Sequence, residues 1–227
     1  MRMDTKKITA LAMITAVAFI LAAFVRVPVV LFLRYDPKDV VIAIAGFIYG
    51  PGAALLVSVI VSTIQMFTVS QTGPIGWVMN VIASVAFCCT AAYIYKKNRT
   101  LKGAVYGLIA GLFLATSAMM LWNYLIAPIF MATGEMTVRE ARELIVVPLL
   151  LPAFLPFNLI SNGLNAAFTI LLYKHVKRAL QAANMLPPAD DSQVPVQSAK
   201  INTGAIVVAA FVVVSCILWV LVLQGVI

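Results

Sequence analysis

Asn158, Asn162 and Asn165 recur at helical spacing inside a long apolar run, with Ser161 beside them. Residues three, four and seven apart share one face of a helix. A second apolar run carries Trp122-Asn123-Tyr124, and a third places Trp77 one turn before Asn80. An asparagine amide offers two donors and two acceptors, and in a membrane these must be met inside the protein. Two readings stand side by side. The amides could tie helices together, or they could edge an aromatic pocket for a flat, neutral ligand rich in hydrogen-bonding groups. Several asparagines at one depth, with aromatics near them and a broken helix ahead, favour the ligand.

Chemistry of other kinds is missing from the sequence. No nucleophile–base set, paired intramembrane acids, Gly-rich phosphate loop or metal-type spacing occurs, so no catalytic residues, metal ligands or cofactor are expected. The single histidine, His175, stands among lysines and reads as a surface residue. Cys88, Cys89 and Cys216 lie in apolar runs and read as small packing residues. No acidic residue falls deep in a predicted span, which argues against a proton-coupled secondary transporter.

The elements that must hold these side chains are membrane helices. Of 227 residues, 63% are apolar and 11% charged, with a mean hydropathy of +1.04. A soluble domain carries about 25% charged residues, so a bilayer is the solvent that suits this chain. Seven spans are expected: Ile8–Val25, Val40–Gly50, Ala53–Ser70, Trp77–Tyr95, Gly103–Met131, Phe157–His175 and Ile201–Leu223. The second is short. Eleven residues cover about 16 Å, against a hydrocarbon core of roughly 30 Å, so either it begins inside Arg34-Tyr35-Asp36-Pro37-Lys38-Asp39 or the chain before it dips into the protein. Gly50-Pro51-Gly52 and residues 71–76 read as turns. Thr137 and Glu140 form a capping-box pattern for a polar helix over Thr137–Leu144. Pro148, Pro152 and Pro156, four apart, predict that no regular straight helix runs there. Residues 181–200, with Pro187-Pro188 and Asp190-Asp191, read as a cytoplasmic linker between a membrane domain over 1–180 and an added helix over 201–227.

Charge orients the chain. With the N-terminus in the cytoplasm, eleven of the 16 basic residues fall inside and five outside, as the positive-inside pattern requires. The outer segments hold five acidic residues as well, so the whole net charge of +8 lies on the inner face. The basic runs read as orientation and lipid contact, not as nucleic-acid binding. An odd number of spans places the C-terminus outside.

Several segments in order resemble the riboflavin-specific S component of energy-coupling-factor (ECF) transporters. Leu33-Arg34-Tyr35-Asp36-Pro37-Lys38-Asp39 with Gly46-Phe47-Ile48-Tyr49-Gly50-Pro51 is similar to that family's first loop and second helix. Thr72-Gly73-Pro74-Ile75-Gly76-Trp77-Val78-Met79-Asn80 is similar to its entry into the fourth helix, Asn123-Tyr124 with Pro128 to its fifth, and Pro156-Phe157-Asn158-Leu159-Ile160 to its sixth. The resemblance covers about residues 5–180. It implies an all-α, six-helix S-component bundle plus one extra C-terminal transmembrane helix, in the bacterial plasma membrane. It implies capture of riboflavin outside the cell and release inside, driven by a transmembrane coupling subunit and two ATPase subunits. Tyr35, Asp36, Trp77, Asn80, Asn123, Asn158, Ser161 and Asn162 become the implied substrate contacts, with Asn123 and Asn158 foremost. Ala12 and Ala16 become the small residues offered to the coupling subunit, with Ala18 and Ala22 as a second pair. Ser161 stands where some relatives carry lysine, which removes one charged contact. The seventh helix lies outside the pattern. Alternatives are an S component for another vitamin or a flavin nucleotide, and a membrane enzyme or assembly factor with no transported ligand.

Overall fold

The computed structural model describes residues 5–30, 33–70, 72–132, 134–183, 185 and 203–223. Among the described residues there are seven helical segments and one two-stranded hairpin. In order they are α1 (Thr5–Phe24), β1 (Val27–Val30), β2 (Leu33–Tyr35), α2 (Lys38–Tyr49), α3 (Pro51–Thr68), α4 (Gly73–Lys97), α5 (Leu101–Met131), α6 (Val138–Ala182) and α7 (Thr203–Leu223). Among the described residues α1, α3, α4, α5 and α6 are long and apolar enough to cross a membrane. Their outer faces carry large apolar side chains in the open, among them Leu56, Phe67, Phe113, Ile129 and Leu151. Water would not tolerate so continuous an apolar surface, and lipid tails do.

The short second helix has the status its length implies. Twelve residues rise about 18 Å, so α2 does not reach across on its own. It is packed instead at the centre, against α1, α3, α4 and α6. Val40 and the unbroken run from Ile42 to Phe47 are buried, as befits a helix that is apolar on every side. The chain preceding it does dip into the protein, as the antiparallel pair β1–β2, with Val27 opposite Tyr35 and Val30 opposite Leu33. That hairpin is the one strand structure among the described residues of an otherwise helical protein. The helix also starts earlier than Val40, so Asp39 lies in its first turn. An acid thus enters a helix after all, half-buried, with Ser84 Oγ donating to its Oδ1 at 2.6 Å.

Three ties hold the hairpin and the head of α2 in place. Arg26 donates through Nε to the carbonyl of Ala22 at 3.0 Å and through Nη1 to that of Val69 at 3.3 Å, joining α1 to the end of α3. Tyr35 donates its hydroxyl to Asn165 Oδ1 at 3.0 Å, reaching the middle of α6. Lys38, whose side chain is 5% exposed, places Nζ at 3.2 Å from Asp36 Oδ2 and 3.1 Å from Asn80 Oδ1. A buried ammonium is tolerable only when paired and hydrogen-bonded, so Asp36 and Asn80 must stay where they are.

The turns are tighter than the sequence suggests. Gly50, at φ +94°, makes the α2–α3 corner alone, and Pro51 already stands at the start of α3, where a missing N–H costs nothing. Pro74 does the same for α4, which begins at Gly73. The proline triplet does prevent a regular helix, but it does not end one. Around it α6 widens into π turns at Arg142–Val146 and Leu150–Phe154, which relieve the clash of a proline ring with the carbonyl one turn back. The polar helix is therefore the head of α6. It opens on the capping box: Glu140 N donates to Thr137 Oγ1 at 3.2 Å and Thr137 N to Glu140 Oε2 at 2.8 Å. The expected linker over 181–200 falls mostly outside the described residues, while α7 runs as a regular helix.

Close helix approach is bought with glycine on α5. Gly107 and Gly111 are buried one turn apart, and a Cβ at either would stand 2.7 Å from the Ala91 carbonyl oxygen or 2.6 Å from that of Phe87. These contacts are with backbone, which cannot swing away. Gly111→Val is therefore expected to lower stability by about 1–3 kcal/mol, read as a lower thermal midpoint in detergent. Lys38→Met, which strips Asp36 and Asn80 of their cation, is expected to cost about 3 kcal/mol by the same measurement; an unchanged midpoint would show that the network is not structural.

Candidate functional site

A cavity of about 700 Å³ opens where the hairpin meets the ends of α3, α4, α5 and α6. This lies within the roughly 300–1,000 Å³ of small-molecule sites. Its wall is built from elements distant in sequence. The hairpin and its exit supply Leu33, Arg34, Tyr35 and Asp36; α2 supplies Lys38 and Asp39; α3 supplies Gln65; α4 supplies Met79 and Asn80. From α5 come Met119, Asn123, Ala127 and Phe130, and from α6 Phe154, Phe157, Asn158, Ser161, Asn162 and Asn165.

The polar groups differ in how far the protein already satisfies them. Asn123 is 6% exposed, and its amide has no protein partner among the described residues. Asn158 uses Nδ2 to donate to the Phe154 carbonyl at 2.7 Å, a carbonyl within the π turn, and its Oδ1 has no donor among the described residues. Ser161 Oγ and Gln65 Oε1 are buried without a partner. Asn162, by contrast, donates to Thr116 Oγ1 at 3.4 Å, Asn165 receives the Tyr35 hydroxyl, and Asn80 receives Lys38. A buried polar group without a partner costs roughly 1–3 kcal/mol. Asn123, Asn158, Ser161 and Gln65 therefore retain unused hydrogen-bonding capacity that a ligand can take up.

The structure brings Tyr35, Asp36, Asn80, Asn123, Asn158, Ser161 and Asn162 to this one cavity. Trp77 is placed elsewhere: its indole Nε1 donates to Thr63 Oγ1 at 3.0 Å, tying α4 to α3, and it does not line the cavity. The reason is rotational. Gly76, Met79, Asn80 and Ala83 line the cavity from α4, and at about 100° per residue Trp77 points roughly 110° away from their mean direction. Of the expected helix-tying alternative, Asn162 is the clearest instance. Sequence reasoning passed over Lys38, Asp39 and Gln65. Lys38 and Asp39 belong to the hexapeptide before α2, of which only Tyr35 and Asp36 were expected to touch substrate, and Gln65 is one polar residue in an apolar span, where its cost in lipid is the available signal. Ala12 and Ala16 on α1 are exposed, while Ala18 and Ala22 are fully buried in the bundle.

Comparison with known proteins gives the arrangement its place. The family described as ECF transporter, substrate-specific component, matches residues 6–173. The riboflavin transporter FmnP of Bacillus subtilis (strain 168) is 30% identical over 183 residues, covering 76% of this chain and 93% of its own. The riboflavin transporter RibU of Staphylococcus aureus (strain TCH60) is 28% identical over 183 residues, covering 78% and 94%. A solved structure of the S component of a bacterial ECF transporter superposes with a TM-score of 0.62 at 27% identity, over 79% of this chain and 99% of the other. With the family spanning most of the bundle and the solved S component covered almost end to end, this multi-pass membrane protein belongs to the substrate-specific components of ECF transporters.

Proposed function

We propose that this chain captures riboflavin in the cavity beneath the hairpin and hands it to partner subunits for import. The observation that carries this reading is the set of unused amide and hydroxyl groups, Asn123, Asn158 and Ser161, inside a cavity also lined by Phe130, Phe154 and Phe157. A flavin presents a flat ring for apolar walls and an edge of alternating carbonyl and N–H groups for amides. Neutral amides suit that edge, since either end of an amide can serve it. The names of the riboflavin transporters among the relatives support the same ligand.

The N-terminus lies in the cytoplasm on this reading, and the cavity opens outward. The basic ends of α4 and α6 then face the ATPase subunits, in keeping with the charge asymmetry of the sequence. On α1, Ala12 and Ala16 are exposed beside Met13, Val17 and Ile20. This small-residue strip is the docking face for the transmembrane coupling subunit, where missing side-chain bulk lets another helix approach. Two ATPase subunits complete the transporter and supply the energy. A flavin nucleotide is the second reading, favoured by Arg34, exposed at the cavity wall, where a guanidinium would meet a phosphate.

Purified protein titrated with riboflavin is expected to quench flavin fluorescence, and no quenching at micromolar concentrations would overturn the proposal. Asn123→Leu and Asn158→Leu are each expected to weaken binding by about 10- to 100-fold, the equivalent of one or two lost hydrogen bonds in a dry site. Competition by FMN, thiamine and biotin separates riboflavin from the second reading. Ala16→Trp is expected to abolish uptake by cells while leaving riboflavin affinity unchanged; loss of both would mean that α1 shapes the cavity instead of the docking face.

A further inference from the structure

The seventh helix lies beyond the residues that the family matches, and none of its described residues lines the cavity. It is nonetheless packed on one face. Val213, Cys216 and Val220, three and seven apart, are half-buried and pack on a cluster formed by Val29, Tyr35, Ile160 and Leu164. Along α6 the approach is close at a residue without a side chain: a Cβ at Gly163 would have Cys216 Sγ as its nearest neighbour, 3.8 Å away. The other face, with Phe211, Val214, Ile217 and Leu218, is exposed and suited to lipid.

What this face covers is the hairpin. Strands of four and three residues are marginal by themselves. Val29 of β1 is 1% exposed and Tyr35 of β2 is 6% exposed. Both belong to one cluster with Ile160 and Leu164 of α6, against which Val213, Cys216 and Val220 of α7 pack. Tyr35 lines the cavity and bonds Asn165, so whatever holds the hairpin also holds part of the ligand wall.

We infer that α7 is a resident clamp on the cavity-lining hairpin. Val213, Cys216 and Val220 are positioning residues that press Val29 and Tyr35 toward α6, and they set how often the hairpin opens and how fast a ligand leaves. The link from hairpin to ligand release rests on the riboflavin reading; the link from α7 to the hairpin does not.

The test uses the full chain carrying Val213→Ala and Val220→Ala together, beside a control pair on the lipid face, Phe211→Ala and Ile217→Ala. Hydrogen exchange is followed at the hairpin amides and at those of α3, and riboflavin dissociation by recovery of its fluorescence. The clamp predicts hairpin exchange about tenfold faster in the first variant, a local opening, with α3 unchanged and the control pair like the unmodified protein. Riboflavin should then leave faster by a similar factor. Unchanged hairpin exchange, or equal acceleration in α3, overturns the clamp. Faster hairpin exchange with unaltered riboflavin release overturns its effect on the ligand. If the unmodified protein binds no riboflavin, the functional proposal fails while hairpin exchange still decides the clamp.

Discussion

A single buried cation, Lys38, constrains the end of the bundle where the cavity forms. Its ammonium cannot stay in a low-dielectric interior without partners. Asp36 from the hairpin exit and Asn80 from α4 provide them at 3.2 and 3.1 Å. One charge thereby fixes three elements, and the cavity is the space left between them and the ends of α5 and α6. The neighbouring Asp39–Ser84 bond repeats the arrangement one residue on. Because these groups satisfy each other, the charged part of the wall is rigid, while Asn123, Asn158 and Ser161 are left with capacity to spare.

The asparagine face of α6 depends on a second constraint, the proline triplet. A straight helix through Pro148, Pro152 and Pro156 would lose backbone donors and meet ring clashes at successive turns. The π turns absorb that conflict without ending the helix, and the Phe154 carbonyl, within the second of them, accepts from Asn158 Nδ2. The irregular backbone is thus tied directly to the orientation of a cavity residue, a common use of π turns.

Much was legible because it is compositional or local. The membrane class follows from hydropathy, the helix count from runs of apolar length, and the asparagine face of α6 from spacing alone. The capping box at Thr137 and Glu140 needed only four residues of sequence. Trp77 lies off the cavity because it stands on the side of Asn80 turned away from Gly76, Met79 and Ala83, and which side of Asn80 faces the cavity is set by helix rotation, not by spacing. Lys38 was missed because charges beside an Asp-Pro step resemble solvent-facing turn chemistry. Gln65 was missed because one polar residue in an apolar helix has no periodic partner to announce it.

The sequence by itself determined the solvent, the approximate spans, the charge asymmetry and the residue types able to meet a flat neutral ligand. Those properties are sums or short-range patterns, and no partner residue is needed to read them. Only the tertiary structure decided which polar groups are already satisfied: Asn162 by Thr116, Asn165 by Tyr35 and Asn80 by Lys38. It also decided that α2 is a central strut and that α7 lies against the hairpin. A hydrogen bond across 130 residues, such as that of Tyr35 to Asn165, depends on how helices rotate and pack, and that rotation is set by every neighbour at once.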